Sequence, residues 1–295
     1  MTQAVFRFAP SPNGRLHLGH AYSALLNQRL ARAIGGKLLL RIENTDTVRC
    51  TPVLEARMLD DLRWLGFEWD GEPRRQSEHD TDYAEAVGRL EAMGLAYPAF
   101  LSRGEARRLV EQETSQGHSW PCDPDGVPHY PGGEERLLRE QERARRVAAG
   151  DAFAMRFDME RALSLPGLQT ERLCWQEECS GPDGEKGEIT ADPAAWGDFM
   201  LTGRDRAAAY HLACVLDDAI QGVTHVVRGR DLYHATSAHR LLQELLDLPE
   251  PLYCHHDLIL DSAGRKLSKS RGDTSIAELR AAGATPGDIT RMVGL

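Results

Sequence analysis

Phe6-Arg7-Phe8-Ala9-Pro10-Ser11-Pro12-Asn13-Gly14-Arg15-Leu16-His17-Leu18-Gly19-His20 reads as a buried strand, a Pro/Gly turn and the start of a helix. An open helix N-terminus carries unpaired N–H groups and the positive end of the helix dipole, so it suits a phosphate. Gly14 and Gly19 let a ligand approach the backbone, and His17 and His20, three apart, share one side of the helix. Taken alone, an ordinary strand-to-helix turn with two surface histidines accounts for these residues equally well.

Working outward, residues 21–33 show helical apolar spacing at Ala21, Leu25, Leu26, Leu30 and Ala33, stopped by Gly35-Gly36. Residues 37–43 follow as a strand with polar residues at its carboxyl end. Strand, helix and strand together have the roughly 30-residue length of a right-handed βαβ crossover. Ligands of such sheets bind beyond the strand carboxyl ends, which sets Arg7, Ser11, Glu43 and Asp46 beside His17 and His20. A solvated strand end is the alternative for Glu43 and Asp46.

Helices are expected over 52–65 and 82–93, ended by Gly66 and Gly94. From about Tyr97 the character changes: 103–113 looks helical, 115–133 irregular, 134–149 a charged helix with a solvated face, and 153–157 a short strand. Residues 224–231 form a β-branched strand that runs into polar residues, as 37–43 does. Tyr210 and Arg228 therefore join the same crevice, or else Tyr210 is a core aromatic and Arg228 pairs with Asp231. Residues 237–246 read as a helix and 253–260 as a strand. The loop Asp261–Arg271, with Lys266, Ser268 and Lys269, can wrap an anionic leaving group or is a solvated basic loop. Short helices follow at 275–282 and near Pro286.

At 295 residues the chain can bury a substantial core. A net charge of −10 excludes a protein that is basic overall, yet leaves room for a local Lys/Arg surface that meets nucleic acid. No apolar run nears the ~18 residues of a membrane span and no signal-peptide pattern opens the chain, so a cytoplasmic protein is expected. The six cysteines lack framework spacing, and reduced thiols are the expectation.

His17-Leu18-Gly19-His20 and Lys266-Leu267-Ser268-Lys269-Ser270, in that order and far apart, resemble the two signatures of class I aminoacyl-tRNA synthetases. Arg7-Phe8-Ala9-Pro10-Ser11-Pro12, Arg41-Ile42-Glu43-Asn44-Thr45-Asp46 and Val226–Leu232 resemble the glutamyl branch; a glutaminyl enzyme more usually has an acidic residue at Ser11 and Asp at Glu43. The resemblance spans about residues 5–275. The ~25 residues after the lysine loop fall short of the ~50 a further domain needs. The pattern is therefore similar to the truncated paralogue family of glutamyl-queuosine tRNA(Asp) synthetases.

The resemblance implies an α/β fold, a class I Rossmann-like parallel sheet with an inserted α+β subdomain and a short helical C-terminal segment. The expected boundaries are 1–96 and 186–260 for the two halves of the core, 97–185 for the insertion and 261–295 for the lysine loop and helical end. It implies ATP-dependent activation of L-glutamate and transfer to tRNA(Asp) carrying queuosine, by a monomer. It assigns His17, Gly19, His20, Lys266, Ser268 and Lys269 to ATP, with Mg²⁺ accompanying the substrate. His17, His20, Lys266 and Lys269 carry the catalytic roles. Arg7, Phe8, Ala9, Pro10, Ser11, Glu43, Tyr210 and Arg228 are assigned to glutamate. Members often hold zinc with Cys-x-Cys after the equivalent of Tyr97-Pro98, then a Tyr and a further Cys. Here Ala99 and Leu101 stand at the first two positions, and Cys122, Tyr130, His118 and His129 lack structural-zinc spacing, so no zinc is expected. Arg103, Arg107, Arg108 and the helix Arg136–Arg146 are candidate tRNA contacts, with a solvated charged face the alternative for the helix.

Overall fold

Strand β1 (Val5–Phe8) leads through the Pro/Gly turn into α1 (Leu18–Ala33), and β2 (Lys37–Ile42) returns parallel to β1 with Phe6 opposite Leu38. The structure is a computed structural model that describes residues 3–261, 264, 265, 267 and 274–295. The remaining elements are α2 (Pro52–Trp64), β3 (Arg74–Arg75), α3 (Asp80–Ala92), β4 (Ala96–Ala99), α4 (Arg103–Ser115), α5 (Gly133–Arg136), α6 (Glu140–Ala148), β5 (Ala154–Phe157) and α7 (Met159–Leu163). They continue with β6 (Cys174–Glu177), β7 (Gly187–Thr190), α8 (Tyr210–Ile220), β8 (His225–Gly229), α9 (Ala235–Leu246), β9 (Leu252–His256), α10 (Ile276–Ala281) and α11 (Pro286–Met292).

Seven strands form one sheet in the order β3-β2-β1-β8-β9-β6-β7, parallel except for the antiparallel edge strand β7. Two cores cover its faces. Phe6, Phe8, Leu16, Ala24, Leu40, Leu62 and Ile289 pack on one side, and Tyr83, Leu90, Trp175, Leu212, Val226 and Leu241 on the other. Such near-continuous apolar strands are what burial on both faces requires. Strand order reverses at β1, with β2 on one side and β8 on the other, so a crevice opens between the carboxyl ends of β1 and β8. The buried Asn27 amide donates to the carbonyls of Ser23 (2.8 Å) and Val227 (3.1 Å), which fixes α1 against β8.

The C-terminal helices dock beside the α1 start. Ile276 N–H donates to Leu16 O at 2.8 Å, and His17 and Ser275 form a backbone bridge. Within 97–185, β5 pairs antiparallel with β4 in a separate two-stranded sheet, while β6 pairs with β9 in the main sheet.

Two expectations are corrected here. Cys179 and Cys254 form a disulfide, with Cα atoms 4.7 Å apart, in place of two reduced thiols. Parallel pairing of β6 and β9 sets Glu177 opposite Tyr253, and this brings cysteines 75 residues apart together. The charged helix expected over 134–149 is broken into α5 and α6. Glu135 turns inward and is buried, and the Arg143 guanidinium caps the carbonyls of Glu135 and Arg136 where the first segment ends.

Candidate active site

A cavity of about 1080 Å³ opens at the switch point. It is lined by the residues after β1 (Phe8, Ala9, Pro10, Ser11, Asn13, Gly14), by His17, Gly19 and His20 at the α1 start, and by Glu43 after β2. Tyr210 at the α8 start, Arg228 and Gly229 at the end of β8, Asp231 just past it, and His256, Leu258, Ile259 and Leu267 also line it, with Arg7 and Arg49. Every described residue assigned to ATP or glutamate from the sequence thus lines one space. Lys266, Ser268 and Lys269 lie outside the described residues, although Leu267 between them borders the cavity. Asp46 is not among the lining residues; its carboxylate pairs with Arg49 at 2.6 Å.

His17 is the N-cap of α1. Its Nδ1 accepts from Gly19 N–H (3.1 Å), and His20 Nδ1 accepts from His17 N–H (3.2 Å), a reciprocal capping box made from two imidazoles. In the neutral rings this leaves the proton on each Nε2, so both are donors. Gly19 packs closely under the capping ring: a Cβ there would sit 3.0 Å from His17 Cε1 and 3.1 Å from its Nδ1, so the ring would have to shift by a few tenths of an ångström.

The opposite wall is cationic. Arg7 is 4% exposed and lines the cavity; its Nε donates to Asp218 Oδ1 at 3.1 Å. Its two terminal nitrogens hydrogen-bond no described side chain, which leaves the planar fork for a ligand carboxylate. Arg41, fully buried, meets Asp218 at 2.5 Å and Glu43 at 3.2 Å. Asp217 is in turn held by Arg74 (2.7 Å), Gln76 (2.8 Å) and the Tyr83 hydroxyl (3.0 Å). Burial pushes the Glu43 carboxyl up, against the pull of Arg41 and Arg7. Its charged form is therefore poised to gain from a ligand cation such as an ammonium.

Arg228 is 5% exposed and has no carboxylate within ion-pair distance among the described residues, Asp231 included. Its Nε donates to His255 Nε2 (3.1 Å); one terminal nitrogen faces the Tyr210 hydroxyl (3.2 Å) and His239 Nδ1 (3.3 Å), the other Thr236 Oγ1 (2.8 Å) and Leu232 O (3.1 Å). Five N–H groups thus meet five neutral acceptors. Burial pushes the His255 imidazole down to about 4 and His211 down to about 3, and lowers His239 strongly, so the rings around Arg228 stay neutral. The Tyr210 hydroxyl accepts from Arg228 and is kept protonated by burial, which leaves its own O–H as a donor at the cavity wall.

Sequence reasoning missed this outer layer: Arg41, Asp217, Asp218, His239, His255 and Glu177. Two adjacent carboxylates inside the otherwise apolar helix α8 were its readable sign.

Among the described residues, the positions that carry zinc ligands in the resembling family are engaged otherwise. Ala99 pairs with Ala154 in the β4–β5 sheet, and Cys122 is exposed with its thiol toward Trp120 O. His118 pairs with Glu113, and His129 bonds Ala195 O. The buried Glu135 carboxylate instead accepts from Phe100 N–H (2.8 Å), Leu101 N–H (3.1 Å) and the Tyr130 hydroxyl (2.5 Å). Phe100 packs against Phe153 and under the Arg146 guanidinium. Arg136, a candidate RNA contact, is tied to Asp158, Glu160 and Asp198.

A parallel sheet whose switch point joins a histidine-capped helix start to an arginine-lined pocket defines a class I synthetase core. The chain belongs to the family described as tRNA synthetases class I (E and Q), catalytic domain, which it matches over residues 3–295. It is 44% identical to the Glutamyl-Q tRNA(Asp) synthetase of Rhodobacter capsulatus, covering 99% of this chain and all of that protein. It is 38% identical to the protein of the same name from Symbiobacterium thermophilum, over 95% of this chain and 82% of that one. Among solved structures, a glutamate-tRNA synthetase from Elizabethkingia anophelis superposes with a TM-score of 0.79 at 26% identity; the chain spans 61% of its length. Membership of this family makes the chain an ATP-dependent ligase of the synthetase type.

Proposed function

We propose that the chain activates L-glutamate with ATP, without tRNA, and transfers it to the queuosine base in the anticodon of tRNA(Asp). In the first step a glutamate carboxylate oxygen bonds to the α-phosphorus and pyrophosphate leaves, giving glutamyl-adenylate. Both reactants are anions, so the work is positioning and charge compensation. The Nε2–H groups of His17 and His20, beside the Gly19 backbone, hold the adenylate phosphate, while Lys266, Ser268, Lys269 and substrate-bound Mg²⁺ receive the pyrophosphate. Arg7 and Arg228 with Tyr210 bind the two carboxylates, Glu43 takes the ammonium, Ser11 adds a hydroxyl, and Phe8-Ala9-Pro10 form the wall. In the second step a hydroxyl of the modified base attacks the acyl carbon and AMP leaves.

The observation that carries this reading is the juxtaposition, in one cavity, of two buried arginines, Glu43 and the histidine-capped helix start. The names of the relatives support the acceptor. The Glu135 hydrogen-bond centre supports a zinc-free 97–185 segment. No helix among the described residues is long and apolar enough to cross a membrane; the proposal takes the chain as a cytoplasmic monomer. The rival readings are a minimal glutamyl ligase acting on a tRNA 3′ end or a non-tRNA acceptor, and an inactive tRNA-binding or regulatory paralogue. Labelling with [¹⁴C]glutamate of tRNA with and without queuosine separates them. Label confined to queuosine tRNA is expected; equal labelling of both overturns the acceptor.

A further inference from the structure

Behind Arg228, on the side away from the cavity, lies a buried acid that the proposed chemistry does not use. Glu177 ends β6 and is 1% exposed. Its Oε2 meets His255 Nδ1 at 2.6 Å, and its Oε1 accepts from the backbone N–H groups of His255 (2.9 Å) and Cys179 (3.2 Å). The other ring nitrogen of His255 accepts from Arg228 Nε. With a carboxylate at Nδ1, the ring carries its proton there and leaves Nε2 bare, which is the form Arg228 needs as its partner.

We propose that Glu177 and His255 are positioning residues for the substrate carboxylate: Glu177 fixes the His255 tautomer, and His255 fixes the Arg228 guanidinium without neutralising it. This deepens the reading of Arg228 as a carboxylate anchor and rests on it. The reason for an intervening imidazole is charge. At Arg7 the Asp218 carboxylate holds the guanidinium directly and shares its charge; at Arg228 a neutral acceptor holds the geometry and leaves more of the cation's field to the ligand. His239, Thr236 and Tyr210 are neutral acceptors on the same guanidinium and obey the same rule.

Substitution Glu177→Gln is nearly isosteric yet cannot satisfy the site. With its amide NH₂ toward His255 Nδ1, the ring must carry its proton on Nε2 and oppose Arg228 Nε–H. Turned over, the NH₂ faces the backbone donors of His255 and Cys179. His255→Asn keeps a donor for Glu177 but cannot reach Arg228; His255→Gln places an amide oxygen near the Nε2 position.

The test is glutamate-dependent ATP–pyrophosphate exchange by the full chain. The expected result is a glutamate KM raised fivefold or more in Glu177→Gln and His255→Asn, an ATP KM within twofold of the parent, and partial rescue in His255→Gln. An unchanged glutamate KM, or glutamate and ATP KM values that rise together, overturns the proposal. Should the variants not fold, ¹⁵N NMR of histidine-labelled parent protein decides: a His255 protonated on Nδ1 and bare on Nε2 supports the relay, and the reverse tautomer overturns it. Absence of exchange in the parent, or an unmoved glutamate KM in Arg228→Lys, is a different failure, that of the site reading itself.

Discussion

Replacing Tyr210 by Phe removes one oxygen from the cavity wall. That oxygen accepts from Arg228 at 3.2 Å and holds one proton for a ligand. Arg228 keeps four other acceptors but is left with one N–H unpaired, so the fold loses about 1–3 kcal/mol. The donated bond is another matter, because its proposed acceptor is a substrate carboxylate, and hydrogen bonds to charged groups contribute about 1.5–3 kcal/mol. At about 1.4 kcal/mol per tenfold, glutamate KM rises by roughly 10- to 150-fold. Burial keeps the hydroxyl protonated through the accessible pH range, so the factor is independent of pH. The assay is ATP–pyrophosphate exchange over a glutamate titration, with thermal unfolding as the control. A glutamate KM within twofold of the parent would refute the assignment of this hydroxyl to the substrate.

Three further outcomes are expected. Because burial raises the Glu43 pKa, folding is favoured while Glu43 is protonated and loses part of that as pH rises through the raised value. Glu43→Gln should therefore hold or raise Tm at neutral pH while weakening glutamate binding, and it should abolish the drop in glutamate affinity seen when the parent is acidified through that pKa; a lowered Tm with unchanged affinity contradicts this. The Cys179–Cys254 disulfide leaves four of six cysteines free for thiol titration in denaturant, and reducing it should lower stability by up to roughly 4 kcal/mol for a loop of this length, whereas six reactive thiols before reduction would rule the bond out. Glu135→Ala strips three donors of their acceptor and should cost about 3 kcal/mol or more in unfolding titrations, while a zinc chelator leaves the Tm of the parent unchanged; a chelator-induced fall in Tm would contradict the zinc-free reading.

The elements that surround the cavity were legible because their signals are local. The apolar run of β1, the Pro/Gly turn and the helical spacing after His17 lie within 30 residues, and the polar ends of β2 and β8 mark Glu43 and Arg228 without any tertiary information. Partnerships across the sheet were not legible. Glu177 and His255 are 78 residues apart, and nothing in either segment announces that β6 will lie beside β9. The same pairing joins Cys179 to Cys254, so one unreadable register accounts for both. Glu135 looked like one more charge on a solvated helix, since the amides it caps at Phe100 and Leu101 precede it by more than 30 residues.

The most direct measurement is exchange of labelled pyrophosphate into ATP by the purified chain with no tRNA present. The proposed adenylate-forming site, with Arg7, Glu43, Tyr210 and Arg228 on one side and His17 and His20 on the other, predicts exchange that depends on L-glutamate and is far weaker with glutamine, which lacks the second carboxylate. No exchange with glutamate, or equal exchange with glutamine, would contradict it.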